Sequence, residues 1–163
     1  MQTRLIIVLV YLICSFSGNT QSSFSKEDFY IAMSSDDLLK VNEQITKIQS
    51  NSSISNRQAY LGAAQMKKAG LSGQASEKLN LFKIGHQTLE QAIKKDTLNP
   101  ELRFMRLIVQ ENSPKILNYH NNLNQDAAYL CRNYKMLDVV TRRAVLNYCQ
   151  TSKILSAKDL VYE

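Results

Sequence analysis

The side chains best suited to acid–base, nucleophilic or metal chemistry are His86 and His120, with Cys14, Cys131 and Cys149. Glu90 follows His86 at i+4, so the two share a helical face and could ligate a metal together. No cysteine or second histidine stands near them, however, and Glu90 is also placed to pair with Lys94 four residues on. His86 therefore reads as a half-buried, hydrogen-bonded core histidine. His120 lies among asparagines and reads as a solvent-exposed loop residue. The cysteines lack Cys-x-x-Cys spacing and have no histidine near them in sequence. The glycines do not form a phosphate loop, and the Gly-x-Ser-x-Gly setting of an activated serine is absent. Asp36-Asp37 is accounted for as a helix start. These residues predict no catalytic centre, no metal site and no cofactor, and so a protein that is not an enzyme.

Binding candidates take their place. Arg103, Arg106 and Gln110 recur at spacings of three and four along the polar edge of one helix. The two guanidinium groups there could grip carboxylates on a partner protein or an acidic glycan, with an ordinary solvated edge as the alternative. Phe82, His86 and Phe104 are the candidate lining of a pocket between helices. The functional expectation is a binding or structural module for an unknown protein partner of the cell envelope; the alternative is a small-ligand or lipid carrier.

The elements that must position these residues are helical. Leu79, Phe82, His86, Leu89 and Ile93 make one continuous stripe, closed by Lys94 and Lys95 in a last turn that suits cations. Asp96-Thr97-Leu98 breaks the pattern, and Asn99-Pro100-Glu101 starts a second helix with a cap, a first-position proline and an early acid. That helix carries Leu102, Phe104, Met105, Leu107, Ile108 and Val109, nearly all round, and so predicts a central element covered on most sides. Upstream, Ser25 and Asp28 resemble a capping box for a short helix to about Met33. Ser34-Ser35-Asp36-Asp37 starts another, with Leu38, Val41, Ile45 and Ile48 on one face. After the linker-like 49–56, Asn56 or Ser55 caps a helix over Arg57–Ala69, which Gly70 ends. Its patch Gly62-Ala63-Ala64 predicts a close helical hairpin with the Leu79–Ile93 stripe. Downstream, Pro114 ends one helix or begins another through Leu117. Helices are expected over about 125–137 and 139–149, and a short one from Ser156 to Glu163. Strand alternation and hairpin turns are absent. The expected fold is all-α, a compact bundle of about six to seven helices.

Length and composition agree: 163 residues, 44% hydrophobic and 21% charged, describe one folded domain. The net charge of +6, or +5 without Arg4 in the first 20 residues, is scattered among acids and predicts no nucleic-acid partner. Met1 to Thr20 has the layout of a secretory signal peptide: Arg4, the apolar run Leu5–Ile13, then small polar residues. Cleavage fits after Ser17, or after Thr20, which leaves Gln21 first; 21–163 is then the mature domain, without a stable membrane span. The bulky Ile13 argues against lipid attachment at Cys14. Export through the Sec pathway, to the periplasm or beyond, is thus expected, and a disulfide between Cys131 and Cys149 has to be considered. If the chain turns near Leu137, antiparallel helices offset the two by roughly 9 Å, which favours buried thiols over a bridge.

Leu89-Glu90-Gln91-Ala92-Ile93-Lys94-Lys95-Asp96, followed by Asn99-Pro100-Glu101, resembles the second helix of a tetratricopeptide repeat passing into the next repeat. Thr97 stands where that family has its turn proline, and no second copy appears at a period of 34. The resemblance implies a tetratricopeptide-like helical hairpin within 57–112. Asn99 to Leu107, with Gln110-Glu111-Asn112 and Asp126, is also similar to a group of small exported proteins of Bacteroidetes-type bacteria. That likeness implies a compartment and no activity.

Overall fold

In a computed structural model, which describes residues 23–160, the chain folds into seven α-helices and three short 3-10 turns. The helices are α1 (Lys26–Ser34), α2 (Leu38–Ser50), α3 (Arg57–Leu71), α4 (Ala75–Lys95), α5 (Pro100–Glu111), α6 (Leu123–Asn133) and α7 (Val139–Tyr148). The 3-10 turns are Lys115–Leu117, Tyr134–Met136 and Ala157–Leu160. No strand occurs among the described residues, so the all-α expectation holds. The signal-peptide reading of residues 1–20 lies outside them. None of the described helices is long and apolar enough to cross a membrane.

Local start signals act largely as the residue types dictate. Ser25 accepts a hydrogen bond from the Asp28 N–H, Asp37 from Leu39 and Lys40, and Asn99 from Glu101. Each satisfies amides that the first helical turn leaves without partners. Asn56 departs from this: it occupies the cap of α3 in the left-handed region (φ 57°) and makes no side-chain cap bond. Nor does Gly70 end α3, because the helix runs on to Leu71 and Ser72 caps it. Proline 114 precedes a single 3-10 turn.

Ten of the twelve residues of α5 are buried, so this helix is the covered centre of the bundle. The hairpin α3–α4 and helix α6 pack beside it, and α7 reaches it through Thr141 and Tyr148. Gly62 meets Leu89 and Gly85 of α4, while Gly85 meets Met66 of α3, so the two helices run antiparallel with their backbones nearly in contact. A Cβ on Gly62 would lie 2.7 Å from the Leu89 nitrogen, and one on Gly85 would lie 2.7 Å from the Gly62 oxygen. That crossing rotates α4 away from the expected stripe. Leu89 and Ile93 are buried, Phe82 and His86 are half-buried, and Leu79 stays 48% exposed. Only the C-terminal half of the stripe is core.

Candidate ligand-binding site

Where the stripe leaves the core, two concavities open on either side of Phe82. The larger is a cleft of about 970 Å³ between α1, the ends of α3 and α4, α5 and α7. Its walls include Met33, Met66, Phe104, Ile108, Val109 and Val140. At its mouth stand Ile31, Leu79 and Ile116, large apolar side chains that are 50%, 48% and 92% exposed. Charge is confined to the rim: Glu27, Asp36, Lys67, Lys78 and Arg143. Phe104 forms part of the apolar wall, held edge-on by Tyr148 at 5.8 Å and tilted against Tyr30 at 5.5 Å.

The smaller concavity, about 600 Å³, lies between α4, the Lys115–Leu117 turn and the 118–122 loop. Three rings build one wall. Phe82 stacks on His86 at 5.9 Å, and Tyr119 stands edge-on to both, 4.5 Å from His86 and 5.8 Å from Phe82. The Tyr119 hydroxyl donates to Glu90 at 2.6 Å, and burial together with that carboxylate pushes its phenol well above the usual range. Gln110, fully buried, also lines the recess; its Nε2 donates to Asn122 Oδ1 at 3.2 Å, while its Oε1 has no partner among the described residues. Phe82 and Leu117 line both concavities.

The three expected pocket residues therefore divide: Phe82 and His86 face the ring-walled recess together, and Phe104 lines the cleft. The expected contact edge is corrected more sharply. Arg106 and Gln110 are buried at 4% and 0% exposure and offer no surface to a partner protein, while Arg103 is half-buried. Arg106 grips Asp126 with two hydrogen bonds, Nε to Oδ2 at 2.6 Å and Nη2 to Oδ1 at 2.8 Å, and reaches Glu90 through Nη1 at 2.9 Å. Arg103 adds a bond to Asp126 at 3.2 Å and lies over the Tyr129 ring. Asp126 is wholly buried, and a charge there is tolerable only when paired in this way. The guanidinium groups do bind carboxylates, but the carboxylates belong to their own chain. Glu90 accordingly bonds Tyr119 and Arg106, instead of the expected Lys94. His120 is not an open loop side chain either, since its Nε2 donates to the Ser113 carbonyl at 2.9 Å.

A second buried carboxylate was read from sequence only as a first-turn acid. Glu101 Oε1 accepts hydrogen bonds from the hydroxyls of Tyr30 (2.9 Å), Tyr60 (2.5 Å) and Thr141 (3.1 Å). Its Oε2 accepts from the Lys26 ammonium at 2.7 Å. One carboxyl group thus ties α1, α3 and α7 to α5. Lys26 also donates to Asp138 at 2.6 Å. Burial works to raise the Asp138 carboxyl, but Lys26, the Thr141 N–H and the Thr141 hydroxyl, whose one proton is shared between Asp138 and Glu101, outweigh it and hold it at about 2.

Cys131 and Cys149 are half-buried against the core and not bridged to each other. Burial, then the neighbouring Cys131, pushes the Cys149 thiol up to about 11, which suits packing better than nucleophilic attack. Among the described residues no group of three or more His, Cys, Asp or Glu side chains is placed to hold a metal. The recess residues that spacing left unremarked are Tyr119 and the amides of Gln87, Gln91, Asn118, Asn121 and Asn122. Gln87 and Gln91 had a legible signal, because they stand four apart on α4 and so share one edge of it. Comparison of the chain with protein-family models, curated proteins and solved structures finds no match.

Proposed function

We propose that this protein is an exported binding module that carries a small apolar or amphipathic molecule in the cleft beside α5. The observation that supports this reading is the 970 Å³ cleft itself, whose lining is mainly apolar and whose mouth leaves Ile31 and Leu79 half exposed. Its volume lies at the top of the range of about 300–1,000 Å³ usual for small-ligand sites. Apolar surface held open to water is costly, and a ligand that covers it recovers that free energy. Export rests on the pattern of the first 20 residues. The protein-partner reading loses its residue set, because Arg106 and Gln110 lie inside the fold.

Two measurements test the carrier reading. The chain from Gln21 onward is extracted with organic solvent and the extract is analysed by mass spectrometry; the stripped protein is then titrated with a fluorescent fatty acid. The expected result is one probe per chain, bound at least about tenfold more weakly after Ile31→Asp or Leu79→Asp, each of which sets a charge at the apolar mouth. An empty extract with no probe binding would overturn the reading, as would binding indifferent to both substitutions. Sedimentation of the stripped chain as a dimer that Leu79→Asp dissociates would equally overturn it, by assigning the cleft to a second copy.

A further inference from the structure

The ring-walled recess differs in chemistry from the cleft. Six of its side chains are amides: Gln87, Gln91, Gln110, Asn118, Asn121 and Asn122. Each amide both donates and accepts hydrogen bonds. Gln87, Gln91, Asn118 and Asn121 make no side-chain hydrogen bond to the described residues. Gln110 is fully buried at the recess with one polar atom unsatisfied. Turning its amide over would exchange the orphan oxygen for an orphan nitrogen. A buried polar atom left without a partner costs about 1–3 kcal/mol, and Gln110 lines the recess, so a ligand group that reached its amide would recover that cost.

The ligand must then offer many groups that both donate and accept, together with an apolar face for the Phe82–His86–Tyr119 rings. Hydroxyls on a sugar ring supply the first, and the C–H face of the ring supplies the second. An anion or cation is a poorer match, since the two charged lining residues, Glu90 and Lys94, are opposite in sign, and Glu90 is already held by Tyr119 and Arg106. A peptide bound by strand addition would need an open strand edge, and no strand occurs among the described residues. We infer that the recess binds a saccharide unit, with Gln110 at its floor, the three rings as its platform and the exposed amides as its rim. Phe82 and Leu117 also wall the cleft, so the saccharide is either a free glycan or the headgroup of an amphiphile. In the second case the inference rests on the carrier reading.

A glycan array probed with the chain from Gln21 onward provides the first test. Side-chain amide NMR with cellotetraose, chitotetraose and dodecyl maltoside as probes provides the second. The expected result is a saturable shift of the six amides, with affinity falling about tenfold in each of Gln91→Ala and Asn121→Ala, both at exposed rim positions. Dodecyl maltoside moving these amides and the Ile108 and Val109 methyls together assigns a headgroup. A tetrasaccharide moving the amides alone assigns a free glycan. Silence on the array and in all three titrations overturns the inference, as do shifts that both variants leave unchanged. The fatty-acid titration is repeated on the same variants: probe binding retained without any saccharide response sinks this inference and leaves the carrier reading standing.

Discussion

Replacing Glu101 with Gln isolates what one buried charge contributes to this fold. The side chain keeps its shape, and its remaining oxygen can still accept from Tyr30, Tyr60 and Thr141. Those three bonds change from charge-assisted to neutral, a loss of about 1 kcal/mol each. The new NH2 group would face the Lys26 ammonium, donor against donor, but Lys26 retains Asp138 at 2.6 Å and can turn towards it. The sum is about 3 kcal/mol, short of the upper end of about 5 kcal/mol for stranding a buried charge, because nothing is stranded. At about 3 °C per kcal/mol for a domain of this size, the melting temperature should fall by roughly 10 °C. Urea denaturation followed by far-UV circular dichroism measures the free-energy loss directly, with Tyr30→Phe and Tyr60→Phe as companions expected to lose about 1–2 kcal/mol each. Coupling should appear as non-additivity when either is combined with Glu101→Gln. A Glu101→Gln protein within about 0.5 kcal/mol of the parent, at an unchanged denaturant slope, would refute the argument that this carboxylate joins the four helices.

The glycines divide by what surrounds them. Gly62→Ala drives a Cβ to 2.7 Å from the Leu89 nitrogen and 2.8 Å from the Gly85 oxygen, both backbone atoms that cannot swing aside. Overpacking of about 3 kcal/mol should exceed the helix-propensity gain of about 1 kcal/mol, for a net loss of about 2 kcal/mol. Gly70→Ala meets nothing within 4 Å and lies inside α3, so it should stabilise by about 0.5–1 kcal/mol in the same assay. Asp138 predicts an acid dependence: its folded value of about 2 lies below the ordinary aspartate value of 3.8, so its contribution is present above pH 3.8 and disappears as pH falls towards 2. Asp138→Asn keeps the helix cap and removes the charge, so the melting curves of parent and variant should differ at neutral pH and converge near pH 2; curves equally far apart at both would sink the assignment. The side chain is 46% exposed, so added salt should also narrow the gap.

Periodicity and punctuation carry their information locally, and they determined the all-α class, the centrality of α5 and most helix starts. The cap at Asn99, the proline after it and the apolar run from Leu102 to Val109 are each readable within a few residues. Spacing also put Phe82 and His86 on one helical stripe, and in the fold the two line one recess. Spacing could not rotate α4, and that rotation decided the rest. Gly62 and Gly85 let two backbones touch, an event between residues 23 apart in sequence, and the contact swings Leu79 outward and opens the space around Phe82. Arg103, Arg106 and Gln110 sit on a polar edge by spacing alone, yet α6 arrives with Asp126 to bury them. Glu101 reads as a helix-start acid until Tyr30, Tyr60 and Thr141 come to it from three other helices. A polar residue shows its type in the sequence, but whether it meets water, a partner or a ligand depends on which distant segment packs over it. Here that packing turned the expected contact edge into core and left a recess lined with amides.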